Sequence, residues 1–143
     1  MEYLLISACI LGKNTKYNGL NNYHPLVEKL KEKYELIYCC PEVDGGLSIP
    51  RDPSEIVLDK VISISGIDVT KEYTKGALVA LDLVKKYKIK KALLKDGSPS
   101  CGKNYIYDGT FSHTKVNNMG ITARLLSSNG VTIYTENDIE KLL

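Results

Sequence analysis

"YLLISACI", residues 3–10, contains no charged side chain and a single serine hydroxyl beside its tyrosine. Its apolar side chains do not alternate with polar ones, as they would on a strand with one wet face. A run that is apolar on both faces suits a strand buried within a parallel sheet. Three later runs have the same character: "ELIYCC" (35–40), "KKALLK" (90–95) and "GVTIYT" (130–135). Helical spacing separates them. "HPLVEKLKEKY" (24–34) carries Leu26, Val27, Leu30 and Tyr34 on one stripe, with His24 and Pro25 near its start. A longer helix is predicted over 70–87, with Ala77, Leu78, Leu81 and Val84 on its inner face. A third should follow Gly120 and turn Ile121, Leu125 and Leu126 to the sheet. A short last helix over 138–143 should be capped by Asn137 or Thr135. Strand alternating with helix predicts an α/β fold, one domain over residues 1–143, with a mostly parallel sheet and flanking helices.

Composition fits that reading. The chain has 143 residues, 43% of them hydrophobic, enough for one domain with a core. Charged residues make up 25%, which excludes a disordered chain, and a net charge of +2 does not by itself imply nucleic acid. The apolar start lacks a basic leader segment and is too short to span a bilayer, so it reads as a buried strand of a cytoplasmic protein.

Sheets of this kind bind ligands at the carboxyl ends of their strands. Cys9 closes the first predicted strand and Cys40 the second, while Cys101 lies in "GSPSCG" (97–102), just after the third. Three of the four cysteines therefore reach one rim of one sheet. As isolated residues they could be small buried hydrophobes. No secretion signal supports disulfides, and no CxxC pair supports a zinc knuckle. Cys39 and Cys40 are adjacent, and neighbours on a strand point to opposite faces, so Cys39 is assigned to the core.

Soft thiolates select zinc, copper(I) or iron–sulfur clusters. Structural zinc wants four protein ligands. Three thiolates on a four-iron cluster leave one iron open, and such an iron is a thiophilic Lewis acid that can bind a substrate's sulfur. Glu42, two residues after Cys40, brings a carboxylate to the same rim as a general acid or base; its alternative is an ordinary loop glutamate. Ser98 and Ser100 flank Pro99 and offer hydroxyls, or simply form the turn. Ser98, three residues before Cys101 across that turn, is the better placed of the two.

"SACILG", "CPEVDGGLSIPRDPSEI", "LLKDGSPSCGKNYIYDGTF", "GITARLL" and "GVTIYTEND" follow one another along nearly the whole chain. In this order they resemble the thiouracil desulfidase (TudS) family. The resemblance implies a Rossmann-like fold and an oxygen-sensitive [4Fe-4S] cluster held by Cys9, Cys40 and Cys101. It implies non-redox removal of sulfur from a thiolated uracil-type base or nucleoside, with the substrate sulfur on the open iron and sulfide as product. Glu42 would be the catalytic carboxylate and Ser98 its assistant. A sulfide carrier using a [4Fe-5S] cluster to supply a biosynthetic enzyme would need the same cysteines.

The chain departs from the family at Lys16 and Asn18, where relatives often carry arginine and aspartate, and these positions are expected to shape the substrate mouth. The domain associated with thiolated tRNA in longer relatives is not found, so a small base, nucleoside or sulfur carrier is favoured over tRNA; no membrane or DNA partner is expected. Arg51 could bind a ligand oxygen or pair with Asp52 or Glu55. Tyr107, Asp108 and Phe111 could line a pocket that stacks a base, or merely surround an Asp-Gly turn. "KKYKIKK" (85–91) reads as a solvated helix end rather than an RNA patch. His24 and His113 read as structural or exposed. A nucleotide-binding module is disfavoured, because "GKNTKYNG" (12–19) has neither glycine-rich phosphate motif.

Overall fold

The computed structural model describes all residues, Met1–Leu143. In chain order the elements are β1 (Glu2–Ser7), α1 (Val27–Lys33), β2 (Tyr34–Cys39), α2 (Pro41–Asp44), β3 (Ser54–Val57), β4 (Lys60–Ser63), α3 (Thr70–Tyr87), β5 (Lys91–Leu94), β6 (Ile106–Tyr107), β7 (Lys115–Val116), α4 (Ile121–Ser128) and β8 (Thr132–Thr135), closed by a 3-10 turn over Ile139–Leu142.

The four apolar runs become one parallel sheet in the order β2-β1-β5-β8. Strand order reverses between β1 and β5, since the chain first builds β2 on one side of β1 and then β5 on the other. Such a switch point opens a crevice at the carboxyl ends of the strands. The continuous apolar character of β1 has a direct cause, because both faces of the sheet are covered. Leu4 and Ile6 pack with Val27, Leu30, Ile139 and Leu142, while Leu5 joins Ala80, Leu81, Ala123 and Leu126 from α3 and α4. Period-two alternation thus divides the strand between two cores rather than between core and water. No helix is long and apolar enough to cross a membrane.

Local expectations were corrected in four places. Tyr34 opens β2 instead of ending the first helix, and its buried hydroxyl donates to the Leu142 carbonyl at 2.8 Å. Leu78 is exposed; α3 turns Tyr73, Gly76, Ala77, Ala80, Leu81 and Val84 inward. On α4 the buried positions are Thr122, Ala123 and Leu126, with Ile121 and Leu125 only partly covered. The last helix is a 3-10 turn whose N-cap residue is Asp138, without a side-chain cap; the Thr135 hydroxyl accepts the Asn137 N–H at 3.2 Å instead.

Two antiparallel hairpins, β3–β4 and β6–β7, stand apart from the main sheet. Two glycines fix how α2 meets α3. A Cβ on Gly76 would overlap the Pro41 carbonyl oxygen, and one on Gly45 would overlap that of Glu72. Glycine inside a helix costs about 1 kcal/mol relative to alanine. Here it permits backbone-to-backbone contact directly beneath the turn that carries Cys40 and Glu42.

Candidate active site

The crevice at the switch point is a cavity of about 420 Å³. Its lining is assembled from the ends of strands and the loops that follow them. Cys9 lies in the turn after β1, where Ile10 and Leu11 N–H donate to the carbonyls of Ser7 and Ala8. Cys40 is the N-cap residue of α2, with Pro41 at the first helical position, where its missing N–H costs nothing. The Cys40 N–H donates to Asp44 Oδ2 at 3.1 Å, and its thiol lies 3.8 Å from the Thr15 carbonyl. Cys101 sits in the loop after β5. All three line the cavity, as do Glu42 and Ser98. Cys39 is buried in the core with Leu5, Ala80 and Leu94, and also touches the cavity lining.

The Cys101 loop is organised by one carboxylate. Asp96 is 4% exposed, and its Oδ1 accepts N–H groups from Gly97, Lys103 and Asn104 at 3.0, 2.8 and 3.0 Å. Asn104 Nδ2 donates to the other oxygen at 2.9 Å. Burial opposes its charge, but these donors outweigh it and hold the carboxyl below its usual range. Inside this frame the Ser98 oxygen accepts the N–H groups of Cys101 and Ser100 at 2.7 and 3.1 Å. Its hydroxyl proton remains available to donate. Ser100 is fully buried and bonds the Thr122 hydroxyl at 2.8 Å, away from this role.

Glu42 is not a free loop glutamate. Arg51 Nε donates to its Oε1 at 3.1 Å, with both side chains largely out of solvent, 8% and 15% exposed. Arg51 Nη2 also donates to the Thr15 carbonyl at 2.8 Å and Nη1 to that of Ser48 at 3.2 Å. The guanidinium therefore pairs with neither Asp52 nor Glu55, the partners considered from sequence. Asp52 instead accepts from Ser65, and Glu55 accepts backbone N–H groups from Gly109 and Phe111. Tyr73 on α3 lines the same cavity as Glu42 and Ser54; burial first, and then the Glu42 carboxylate, push its ionisation far up, so its phenol stays neutral.

Burial pushes the Cys9, Cys40 and Cys101 thiols up, and neighbouring acidic groups add to the effect: the Cys40 thiol for Cys9 and Cys101, and the Glu42 carboxylate for Cys40. Three thiols that resist deprotonation together become thiolates once metal cations supply compensating charge. The donor set fits an iron–sulfur cluster. A four-iron cluster takes each cysteine on a different iron, and three separate thiols line this one cavity. The Thr15 hydroxyl, next to Cys40 and Arg51 in this lining, is the one buried side-chain polar atom without a hydrogen-bond partner. A buried polar atom of this kind is rare, and a bound group or a water in the cavity would satisfy it.

Of the other positions singled out from sequence, Lys16, Tyr107 and Phe111 line the cavity. Asn18 and Asp108 do not; each side chain bonds its own loop, Asn18 to the Leu20 N–H and Asp108 to Thr110. His24 is structural, its Nδ1 accepting the Leu26 N–H. His113, read as structural or exposed, is exposed and also lines the cavity. Thr15, Tyr73 and Lys95 are further cavity residues that sequence reasoning missed. Lys95 stands at the end of β5 paired with Glu136 at 2.8 Å, and its place in the "LLKDGSPSCG" run was the available signal.

Comparison with known proteins shows the family and the fold. A protein of Bacillus subtilis (strain 168), the uncharacterized YbbK, is 36% identical over 150 residues, spanning 98% of this chain and 99% of the relative. The solved structure of a [4Fe-4S]-dependent thiouracil desulfidase, TudS, superposes with a TM-score of 0.94 at 38% identity, covering 99% of this chain and 95% of that one. The α/β fold expected from the apolar runs is that of this neighbour. The family model of 2-thiouracil desulfurase matches residues 4–138. With the match running from β1 past β8, the chain belongs to the 2-thiouracil desulfurase family.

Proposed function

We propose that the chain is a [4Fe-4S]-dependent desulfidase that exchanges the sulfur of a thiolated uracil-type base or nucleoside for water oxygen and releases sulfide. The observation that carries this reading is the meeting of Cys9, Cys40, Cys101, Glu42 and Ser98 in one cavity at the sheet's switch point. Family membership and the TudS likeness support it. Residues 1–143 are taken as one cluster-binding domain that works in the cytoplasm on a small ligand.

Cys9, Cys40 and Cys101 would hold the cluster, which when bound supplies a thiophilic Lewis acid with one iron free of protein ligands. The chain's own residues do the rest. Glu42 takes the proton from water as its oxygen attacks the ring carbon. Arg51 fixes the orientation of that carboxylate through Oε1, and the neutral Tyr73 phenol lines the same cavity from α3. The Ser98 proton is free to orient a heteroatom of the ring. Thiouracil and water give uracil and hydrogen sulfide, with no net transfer of electrons.

The test is anaerobic reconstitution followed by iron and sulfide counts and incubation with thiouracil. About four irons per chain and repeated conversion to uracil are expected. Stoichiometric sulfide binding without uracil formation would make the protein a sulfur carrier. A protein that takes up no iron would remove the cluster reading altogether.

A further inference from the structure

Four aromatic rings of the cavity lining come from one short segment, the β6–β7 hairpin and its approach: Tyr105, Tyr107, Phe111 and His113. Tyr105 and Tyr107 meet edge-to-face at 6.1 Å between centroids, and Tyr107 and His113 do so at 6.5 Å. The tip of this hairpin is held in an unusual backbone conformation. Phe111 and His113 have φ of 55° and 61°, a region that a side chain like Phe111 seldom enters and that histidine enters more readily. The other two non-glycine residues with positive φ have local reasons: Lys88 ends α3, and Leu58 turns the β3–β4 hairpin. Phe111 and His113 also lie in a hairpin connection, that of β6–β7, but unlike Leu58 and Lys88 both line the cavity. Strain held by surrounding structure at a cavity wall is a recurrent mark of a binding surface.

One side chain from elsewhere holds the tip in place. Glu55, on β3, accepts the Gly109 and Phe111 N–H groups with the same carboxylate oxygen, at 2.9 and 3.1 Å. Gly109 lies so close to β3 that a Cβ there would stand 2.6 Å from the Ile56 carbonyl oxygen. The hairpin tip is thus latched to the β3–β4 hairpin, more than fifty residues earlier in the chain.

We propose that this tip is the ring-recognition wall of the site, with Phe111 and His113 packing against the planar pyrimidine and Glu55 serving as the positioning residue that presents them. The proposal rests on the desulfidase reading for the identity of the ring, but not for the existence of the wall. A planar heterocycle suits the lining because every base has a π-face that can stack on an aromatic side chain. The wall is separate from the cysteines, so it should bind the sulfur-free product as well as the substrate.

The experiment uses the iron-loaded protein and reads uracil binding by calorimetry, beside iron content and the KM and kcat for thiouracil. Phe111→Ala and His113→Ala are expected to weaken uracil binding and raise KM by about tenfold each, with iron content unchanged and kcat altered far less. Glu55→Ala, at a position that also lines the cavity, should do the same by releasing the Gly109 and Phe111 N–H groups. Glu55→Gln, whose amide oxygen still accepts both N–H groups, should restore most of the affinity, a rescue that a general loss of folding would not give. Unchanged uracil affinity and KM in Phe111→Ala and His113→Ala would overturn the wall, and so would an active wild-type protein that binds no uracil. Failure of Glu55→Gln to recover would overturn the latch. If wild-type protein binds uracil through these residues yet leaves thiouracil intact, the desulfidase reading fails and the wall stands.

Discussion

Replacing Gly76 by alanine separates two opposing physical effects. Helix propensity alone favours the change: α3 is 18 residues long, and alanine in place of an interior glycine contributes about 1 kcal/mol. Packing opposes it. The new Cβ would overlap the Pro41 carbonyl oxygen and stand 2.5 Å from its carbon. Ordinary contact begins near 3.4 Å, and the carbonyl oxygen is closer still than the carbon, so α2 and α3 must part by more than about 1 Å. No side-chain rotamer can relieve backbone against backbone, which puts the cost near the upper end of overpacking, about 3 kcal/mol. The net effect is a loss of about 2 kcal/mol, or about 6–8 °C in Tm for a chain of this size. Because Pro41 lies between Cys40 and Glu42, the displacement reaches the site. A shift of that order at reacting groups costs up to about a hundredfold in rate. Thermal unfolding and thiouracil turnover of Gly76→Ala, with Leu78→Ala on the exposed side of the same helix as control, provide the assay. A Tm that rises, as propensity alone requires, would refute the packing argument.

Cys9→Ser, Cys40→Ser and Cys101→Ser should each lose most bound iron, whereas Cys39→Ala should keep it with a packing loss of about 1 kcal/mol; iron counts on anaerobically prepared protein decide this. Glu42→Gln is nearly isosteric but cannot act as a base, so it should hold a normal complement of iron and lose turnover by about a hundredfold or more. Arg51→Met leaves the Glu42 carboxylate without its partner, and should destabilise the protein by about 3 kcal/mol while lowering turnover. Asp96 has a carboxyl held below its usual range, so its contribution to stability is complete above the unfolded value near 3.8 and lost as pH falls through the folded one. Asp96→Asn should therefore cost about 1–3 kcal/mol at neutral pH, with the difference from wild type shrinking below about pH 4 in urea unfolding.

The sheet was legible because burial on both faces writes a continuous apolar run, and Leu4, Leu5 and Ile6 each needed only to be apolar. The rim was legible for the same reason, since residues just past those runs must lie at strand ends, which located Cys9, Cys40 and Cys101. Tyr34 was misplaced because its position fits the helical stripe as well as the strand that follows; its hydrogen bond to the Leu142 carbonyl lies 108 residues away. Leu78 was assigned inward because periodicity gives a stripe and not its centre. The links of Arg51 to Glu42, Glu55 to the β6–β7 tip and Tyr73 to Glu42 are set by how separate elements pack. Charge pattern along the chain favoured nearer partners. His113 is exposed, as its sequence context suggests, but its place in the cavity lining depends on how the β6–β7 hairpin packs and leaves no trace in a single sequence.

Multiple turnover in water labelled with heavy oxygen tests the central claim most directly. Iron-loaded protein, thiouracil in excess and an oxygen-free buffer are all that is required. The account predicts many uracil molecules per chain, each carrying one labelled oxygen, with one sulfide released per uracil and no added reductant or oxidant. Unlabelled product, a requirement for an electron donor, or sulfur release that stops at one equivalent per chain would contradict it.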